Sequence, residues 1–103
     1  MLLNAIKRLF GLAPKPNFAE LVSQGALILD VRTPQEFKSG HIAKSKNIVV
    51  QELGSQLGKL PKNKVIITCC ASGMRSAAAK SMLKSNGFQA YNGGAWIRLQ
   101  SII

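Results

Sequence analysis

The stretch that most restricts how this chain folds is Val65-Ile66-Ile67-Thr68-Cys69-Cys70-Ala71-Ser72-Gly73-Met74-Arg75-Ser76, continued by Ala77 to Asn86. Val65 to Thr68 are apolar or β-branched and follow the polar Lys62-Asn63-Lys64, the pattern of a short strand buried in a parallel sheet. Ala77, Ala78, Met82 and Leu83 recur at helical spacing, and Gly87 is placed to stop that helix as its C′ residue. A cysteine therefore stands where a strand ends, at the foot of a helix. Backbone N–H groups and the helix dipole favour an anion there. The same field lowers a thiol pKa, and the thiolate is the nucleophilic form.

The two adjacent cysteines read differently. Cys69 continues the strand and reads as a small apolar filler. Cys70 is followed by Ala71, Ser72 and Gly73, whose small side chains leave the backbone open to a ligand, so it reads as a reactive thiolate.

The rest of the chain alternates strands with helices. Asn17-Phe18-Ala19-Glu20 has the form of a capping box opening a helix to about Gln24, with Gly25 after it, and Ala26 to Val31 form the next buried strand. Thr33-Pro34-Gln35-Glu36 is a stronger helix start, with an N-cap, proline at N1 and glutamate at N3, and that helix ends near Gly40. Asn47 to Val50 read as a short strand, Gln51 to Lys59 as a helix, and Pro61 to Lys64 as a turn. Phe88 to Tyr91 read as a last strand, which Asn92-Gly93-Gly94 turns into a terminal helix around Trp96 and Leu99. This alternation predicts an α/β fold with a parallel sheet covered on both faces. Ligands of such sheets bind beyond the carboxyl ends of the strands, so Asp30 and Cys70, each at a strand end, are expected to share one edge.

Residues 1–12 form an amphipathic pattern, with Leu2, Leu3, Ile6, Leu9 and Phe10 on one helical face and Asn4, Lys7, Arg8 and Gly11 on the other. Basic residues interrupt the apolar run, unlike a signal peptide. We read a helix packed on the domain in preference to one bound to a membrane or partner. Ala13-Pro14-Lys15-Pro16 reads as an extended linker, so the expected division is 1–16 for helix and linker and 17–103 for the domain.

The length of 103 residues, 47% hydrophobic and 17% charged, suits one compact domain rather than a disordered chain. No apolar run approaches the roughly 18 residues of a bilayer span. Two adjacent cysteines make no disulfide framework, and one histidine without C-x-x-C spacing makes a metal site unexpected. A reactive thiol suits a reducing, cytoplasmic setting. The net charge of +10 points to anionic small molecules or acidic partners. The basic residues are scattered and not interleaved with aromatics, which argues against nucleic acid.

Cys70-Ala71-Ser72-Gly73-Met74-Arg75-Ser76 resembles the C-x-x-G-x-R-S active-site loop of single-domain rhodaneses. The resemblance extends to Asp30-Val31-Arg32-Thr33-Pro34-Gln35-Glu36-Phe37, Gly40-His41-Ile42, Asn47-Ile48, Gly87-Phe88 and Asn92-Gly93-Gly94-Ala95-Trp96. It implies a three-layer α/β/α rhodanese-like domain with a central, mainly parallel sheet of about four or five short strands, a monomer without cofactor. It also implies sulfur transfer: Cys70 attacks the outer sulfur of a donor such as thiosulfate, and the resulting persulfide passes that sulfur to cyanide, a small thiol or an acidic protein thiol. Ala71, Ser72, Gly73, Met74, Arg75 and Ser76 would then form the substrate-binding loop. Arg75 either grips a sulfonate or pairs with a carboxylate to brace the loop. Ser72 and Ser76 are placed to donate to the anion, or Ser76 instead helps begin the helix.

Asp30, Arg32, Glu36 and His41 read as supporting residues. Arg32 and Glu36 are expected to pair, Asp30 to hold the cysteine loop by its backbone, and His41 to be hydrogen-bonded structurally rather than catalytic. The chain departs from the family pattern at Lys44-Ser45-Lys46, where relatives often read Gly-Ala, and at Val49, where proline is common. Counted from Cys69, the loop also resembles the C-x5-R loop of phosphatases and arsenate reductases that share this fold, with Cys69 as the nucleophile. Against that reading, such loops usually carry histidine before the cysteine, and Thr68 stands there. A non-catalytic binding module is the remaining alternative, although such modules typically replace the loop cysteine.

Overall fold

The structure is a computed structural model, and it describes residues 16–103. The amphipathic pattern over residues 1–12 and most of the proline linker lie outside the described residues. Asn17 begins helix α1 (Phe18–Ser23) as its N-cap, its side-chain oxygen accepting from the Glu20 amide at 3.1 Å. The capping box is completed only in one direction, because the Glu20 carboxylate accepts from Gln24 instead. At helix α2 (Pro34–Ser39) the box is complete: Thr33 caps the Glu36 amide and Glu36 returns to the Thr33 amide, with Pro34 opening the first turn.

The sheet has four parallel strands in the order β2-β1-β3-β4: β1 (Leu27–Asp30), β2 (Lys46–Asn47), β3 (Ile66–Cys70) and β4 (Ala90–Ala95). β1 and β3 are central and pair from Leu27↔Ile66 to Asp30↔Cys69. Side chains alternate across the sheet, which gives two cores. Leu29, Val31, Ile66 and Cys70 join Leu53 of helix α3 (Leu53–Gln56) and Ala79 and Leu83 of helix α4 (Met74–Ser85) on one face. Ile28, Ile67 and Cys69 meet Ile42, Leu99 of helix α5 (Trp96–Ile102), and Phe18, Leu21 and Val22 of α1 on the other. The expected three-layer α/β/α arrangement follows. Among the described residues, no helix is long and apolar enough to cross a membrane.

Three elements differ from the sequence expectation. The edge strand β2 is only Lys46–Asn47, and Val50 already belongs to a 3-10 turn. The expected helix over 51–59 breaks into that turn, the four-residue α3 and a second 3-10 turn, Leu57–Lys59. Gly54 and Gly58 lie in this segment and weaken continuous helix. Most consequentially, β4 does not stop at Tyr91 but runs through Asn92-Gly93-Gly94 to Ala95. Thr68 pairs with Asn92 and Cys70 with Ala95, so β4 spends one residue more than β3 over the same distance, a β-bulge beside the cysteine loop. Only glycine fits at position 93: a Cβ there would lie 2.9 Å from the Thr68 carbonyl and 2.8 Å from Leu99 Cδ2.

Candidate active site

β3 carries both cysteines inside the strand and delivers them to opposite faces of the sheet. Cys69 is fully buried in the core beneath α1 and α5, and burial, aided by the nearby Asp30 charge, pushes its thiol up to about 12. It stays protonated near neutral pH. The C-x5-R reading requires Cys69 to underlie the loop, whereas its side chain points into the opposite core.

Cys70 is also fully buried, but its sulfur lies in the curl of residues 71–76. Gly73 N donates to Sγ at 3.0 Å and Ser76 N at 3.4 Å, while Ser76 Oγ stands 3.3 Å away. The loop can turn its amides inward because Gly73, the residue preceding α4, has φ 105°, a left-handed conformation that a side chain would strain. Burial alone would raise the Cys70 thiol, but the Ser76 hydroxyl and the amides of Ser76, Gly73 and Ser72 outweigh it, and the net shift is downward. Two cysteines adjacent in sequence thus have opposite acidities, because only one faces backbone donors.

The loop residues divide by position. Ala71, Ser72 and Met74 are exposed on its outer surface, Met74 at 81%. Arg75 pairs with Glu36 of α2: Nη1 donates to Oε1 at 2.7 Å and Nη2 to Oε2 at 3.0 Å. That fork ties the first turn of α4 to the first turn of α2. Ser76 is fully buried, and Thr68 Oγ1 donates to its carbonyl at 2.7 Å.

The expected Arg32–Glu36 pair does not form between side chains. Arg32 instead folds back on Asp30, with Nε 2.9 Å from Oδ1 and Nη2 2.7 Å from Oδ2, both side chains nearly excluded from water. The chain bends immediately after β1, which brings residue 32 over residue 30, while Glu36 faces Thr33 and Arg75. The Asp30 carboxylate is thereby committed to Arg32, not to the backbone of the cysteine loop as expected. Arg32 also donates to the carbonyls of Glu36 and Gly40 and lies 4.7 Å over the Trp96 ring, so it joins β1, α2 and α5. A buried pair with every polar atom occupied is strongly coupled: removing either partner strands a charge. His41 Nδ1 lies 2.7 Å from the Phe37 carbonyl, and its ring stacks on Phe37 at 3.7 Å.

Asn92, which the sequence presents as a turn residue, is the site residue that sequence reasoning missed. Its Oδ1 accepts from Gly94 N at 2.9 Å and lies 2.7 Å from Ser76 Oγ, while its Nδ2 donates to the Gly73 carbonyl at 3.2 Å. Asparagine before two glycines signals a turn closed by the side chain, and the Gly94 contact is that turn. The reach to Ser76 and Gly73 depends on the bulge, which has no local signature. Beside the loop, Phe18, Ser72, Asn92, Ala95, Arg98 and Ile102 line part of an open cleft of about 410 Å³.

The rhodanese-like domain matches residues 16–95, and the chain belongs to that family. It is 33% identical over 69 residues to the thiosulfate sulfurtransferase GlpE of Ectopseudomonas mendocina, covering 67% of this chain and 63% of that protein. It is 34% identical over 62 residues to the uncharacterized protein YqhL of Bacillus subtilis, covering 60% of this chain and 49% of that one. The chain thus spans less than two thirds of the length of these curated relatives. A crystal structure of a rhodanese-related protein from Thermoplasma volcanium superposes with a TM-score of 0.73 at 34% identity, covering 84% of this chain and 89% of that one.

Proposed function

We propose that the protein is a sulfurtransferase that takes the sulfane sulfur of thiosulfate, or of a persulfide donor, onto Cys70 and passes it to cyanide or a thiol. The observation that carries this reading is the Cys70 sulfur held under the Gly73 and Ser76 amides at the foot of α4, within a rhodanese-like domain. GlpE relatives named thiosulfate sulfurtransferases support the choice of donor.

In the first half-reaction the Cys70 thiolate attacks the outer sulfur of thiosulfate. An S–S bond forms to Sγ, the bond between the two thiosulfate sulfurs breaks, and sulfite leaves with its electron pair. One negative charge then rests on the outer sulfur of the persulfide. In the second, the acceptor attacks that outer sulfur and Cys70 departs as a thiolate, so the downward shift of its pKa favours Cys70 both in the attacking form and as leaving group. Amides aimed into the loop lower the energy of each charged stage without a base beside the cysteine. Arg75 contributes by fixing the loop through Glu36 rather than by a free grip on the donor.

The cleft beside Ser72 offers an approach for the acceptor, and the net charge of +10 favours an anionic donor and an acidic thiol-bearing protein acceptor. A reducing compartment such as the cytoplasm would keep the thiol free. The test is mass analysis of fresh reduced protein after thiosulfate: one added sulfur atom on the peptide containing Cys70 is expected. Unchanged mass would remove persulfide chemistry.

A further inference from the structure

We propose that Asn92 is a positioning residue for Cys70, acting through the Ser76 hydroxyl: Oδ1 accepts that hydroxyl's hydrogen bond while Cys70 is a thiol and gives it up to the sulfur when the sulfur is charged. The argument rests on counting donors. The amide orientation of Asn92 is set by Gly94 N, a donor that needs an oxygen at 2.9 Å, and it leaves Nδ2 to donate to the Gly73 carbonyl at 3.2 Å, which also accepts from Ala77 N. The atom 2.7 Å from Ser76 Oγ is therefore Oδ1, which only accepts, so Ser76 must be the donor. A serine hydroxyl has one proton. With that proton on Asn92, the 3.3 Å contact between Ser76 and Cys70 is satisfied only by the thiol donating to Oγ.

Ionisation of Cys70 removes that proton and leaves the Oγ lone pairs facing a negative sulfur. Turning the hydroxyl toward Sγ restores a hydrogen bond, now from Ser76 to the thiolate. Asn92 Oδ1 is not orphaned by the move, since it keeps Gly94 N. The Thr68 bond to the Ser76 carbonyl holds the main chain still, and Ser76 is fully buried, so the hydroxyl rotor is the part that moves. The bulge at Gly93-Gly94 places Asn92 within reach of both Ser76 and Gly73.

On the sulfur-transfer reading, with which this inference shares Cys70, the hydroxyl faces the sulfur while Cys70 attacks or departs. It returns to Asn92 when the charge sits on the outer persulfide sulfur. The charged groups around Cys70 are Asp30 and Arg32 at the end of β1, Glu36 of α2 and Arg75 of α4, with the Cys69 thiol behind. They are paired among themselves, and none bonds to Asn92.

The experiment is a double-mutant cycle of Asn92→Ser and Ser76→Ala on the full chain. It is read by the ultraviolet thiolate absorbance of Cys70 against pH, with the Cys70→Ser spectrum subtracted. Serine at 92 can keep the turn to Gly94 but falls short of Ser76 and Gly73. Loss of the Gly73 tie is common to both backgrounds and cancels in the cycle. With Ser76 present, Asn92→Ser should make Cys70 more acidic than the same change does in Ser76→Ala, by about three-fold or more in the ionisation constant. A cycle that closes, or one of opposite sign, overturns the proposal, as does a Cys70 that fails to titrate below Cys69. Asn92→Ala gives the same reading if the serine variant does not fold. No sulfur donor enters the measurement, so failure of sulfur transfer would leave a positive cycle standing.

Discussion

Arg75 and Glu36, thirty-nine residues apart in the chain, meet as a planar fork, with Nη1 to Oε1 at 2.7 Å and Nη2 to Oε2 at 3.0 Å. The same carboxylate closes the helix cap of α2 by accepting from Thr33 N. One side chain therefore joins the start of α2 to the start of α4, where the Cys70 loop ends. A cation paired with a carboxylate adds less net charge to the site than a free one, and the Gly73 and Ser76 amides are the backbone donors within hydrogen-bond reach of the Cys70 sulfur.

The fork should show in acid. The Arg75 guanidinium, helped by Thr33, lowers the Glu36 carboxyl to about 2. A carboxyl with a depressed folded-state pKa stabilises the fold fully above its ordinary value of about 4.3, and that contribution is lost as pH falls toward 2. The Tm difference between the wild type and Glu36→Gln should therefore be constant near neutral pH and shrink through this window. Both side chains are about a third exposed, so the difference should be modest and diminish with salt. A gap independent of pH would place the effect of Glu36 elsewhere.

The two cysteines should separate cleanly. Cys70→Ser should abolish sulfur transfer from thiosulfate, while Cys69→Ser should retain most of it, with some loss of stability from a hydroxyl placed in the core. In the wild type, kcat/KM should rise with pH as Cys70 ionises and level off below the ordinary thiol range, because that thiol is shifted downward. An active Cys70 variant beside a dead Cys69 variant would reverse the assignment and the reaction class.

Lys44 occupies a position where glycine is at home. It has φ 66°, in the left-handed region that favours glycine, and it is the one non-glycine residue with positive φ among the described residues. The left-handed conformation costs a side-chain-bearing residue roughly 1–2 kcal/mol, of which glycine's greater freedom in the unfolded chain returns about half. Lys44→Gly should therefore raise stability by about 0.5–1 kcal/mol in denaturant titrations, with the m-value unchanged. An unchanged or lowered midpoint would mean that the lysine side chain gains something at this turn that offsets the strain.

If the basic surface feeds the site, kcat/KM for thiosulfate should fall with ionic strength while kcat changes little, since salt acts on encounter. Lys46 lies on the edge strand β2 and Lys44 just before it, two places from β3 in the sheet. That is roughly 10 Å across strands spaced about 4.8 Å apart, slightly more than the screening length of about 8 Å at physiological salt. Replacing both with glutamine should lower kcat/KM at low salt and converge on the wild type at moderate salt. A profile flat in salt would turn attention to an acidic protein acceptor.

Much of the site was legible because its signals are local. The apolar run into Cys70, the small residues of the loop and the helix period after it lie in one continuous segment. The capping box at Thr33 needs only residues three apart. Even the opposite fates of Cys69 and Cys70 follow from strand alternation once Cys70 is placed at the loop. What the sequence alone determined about this protein is thus the α/β class, the strand-loop-helix and the cysteine that faces the loop amides. The tertiary structure decided which charges and polar groups meet. Helical spacing favoured Arg32 with Glu36, yet the bend after β1 gave Arg32 to Asp30, and parallel packing gave Glu36 to Arg75. Asn92 reached Ser76 only because β4 continued through two glycines and bulged against β3. Hydrogen bonds and ion pairs are satisfied by whichever partner the packed backbone brings within about 3 Å, and that distance has no period in the sequence.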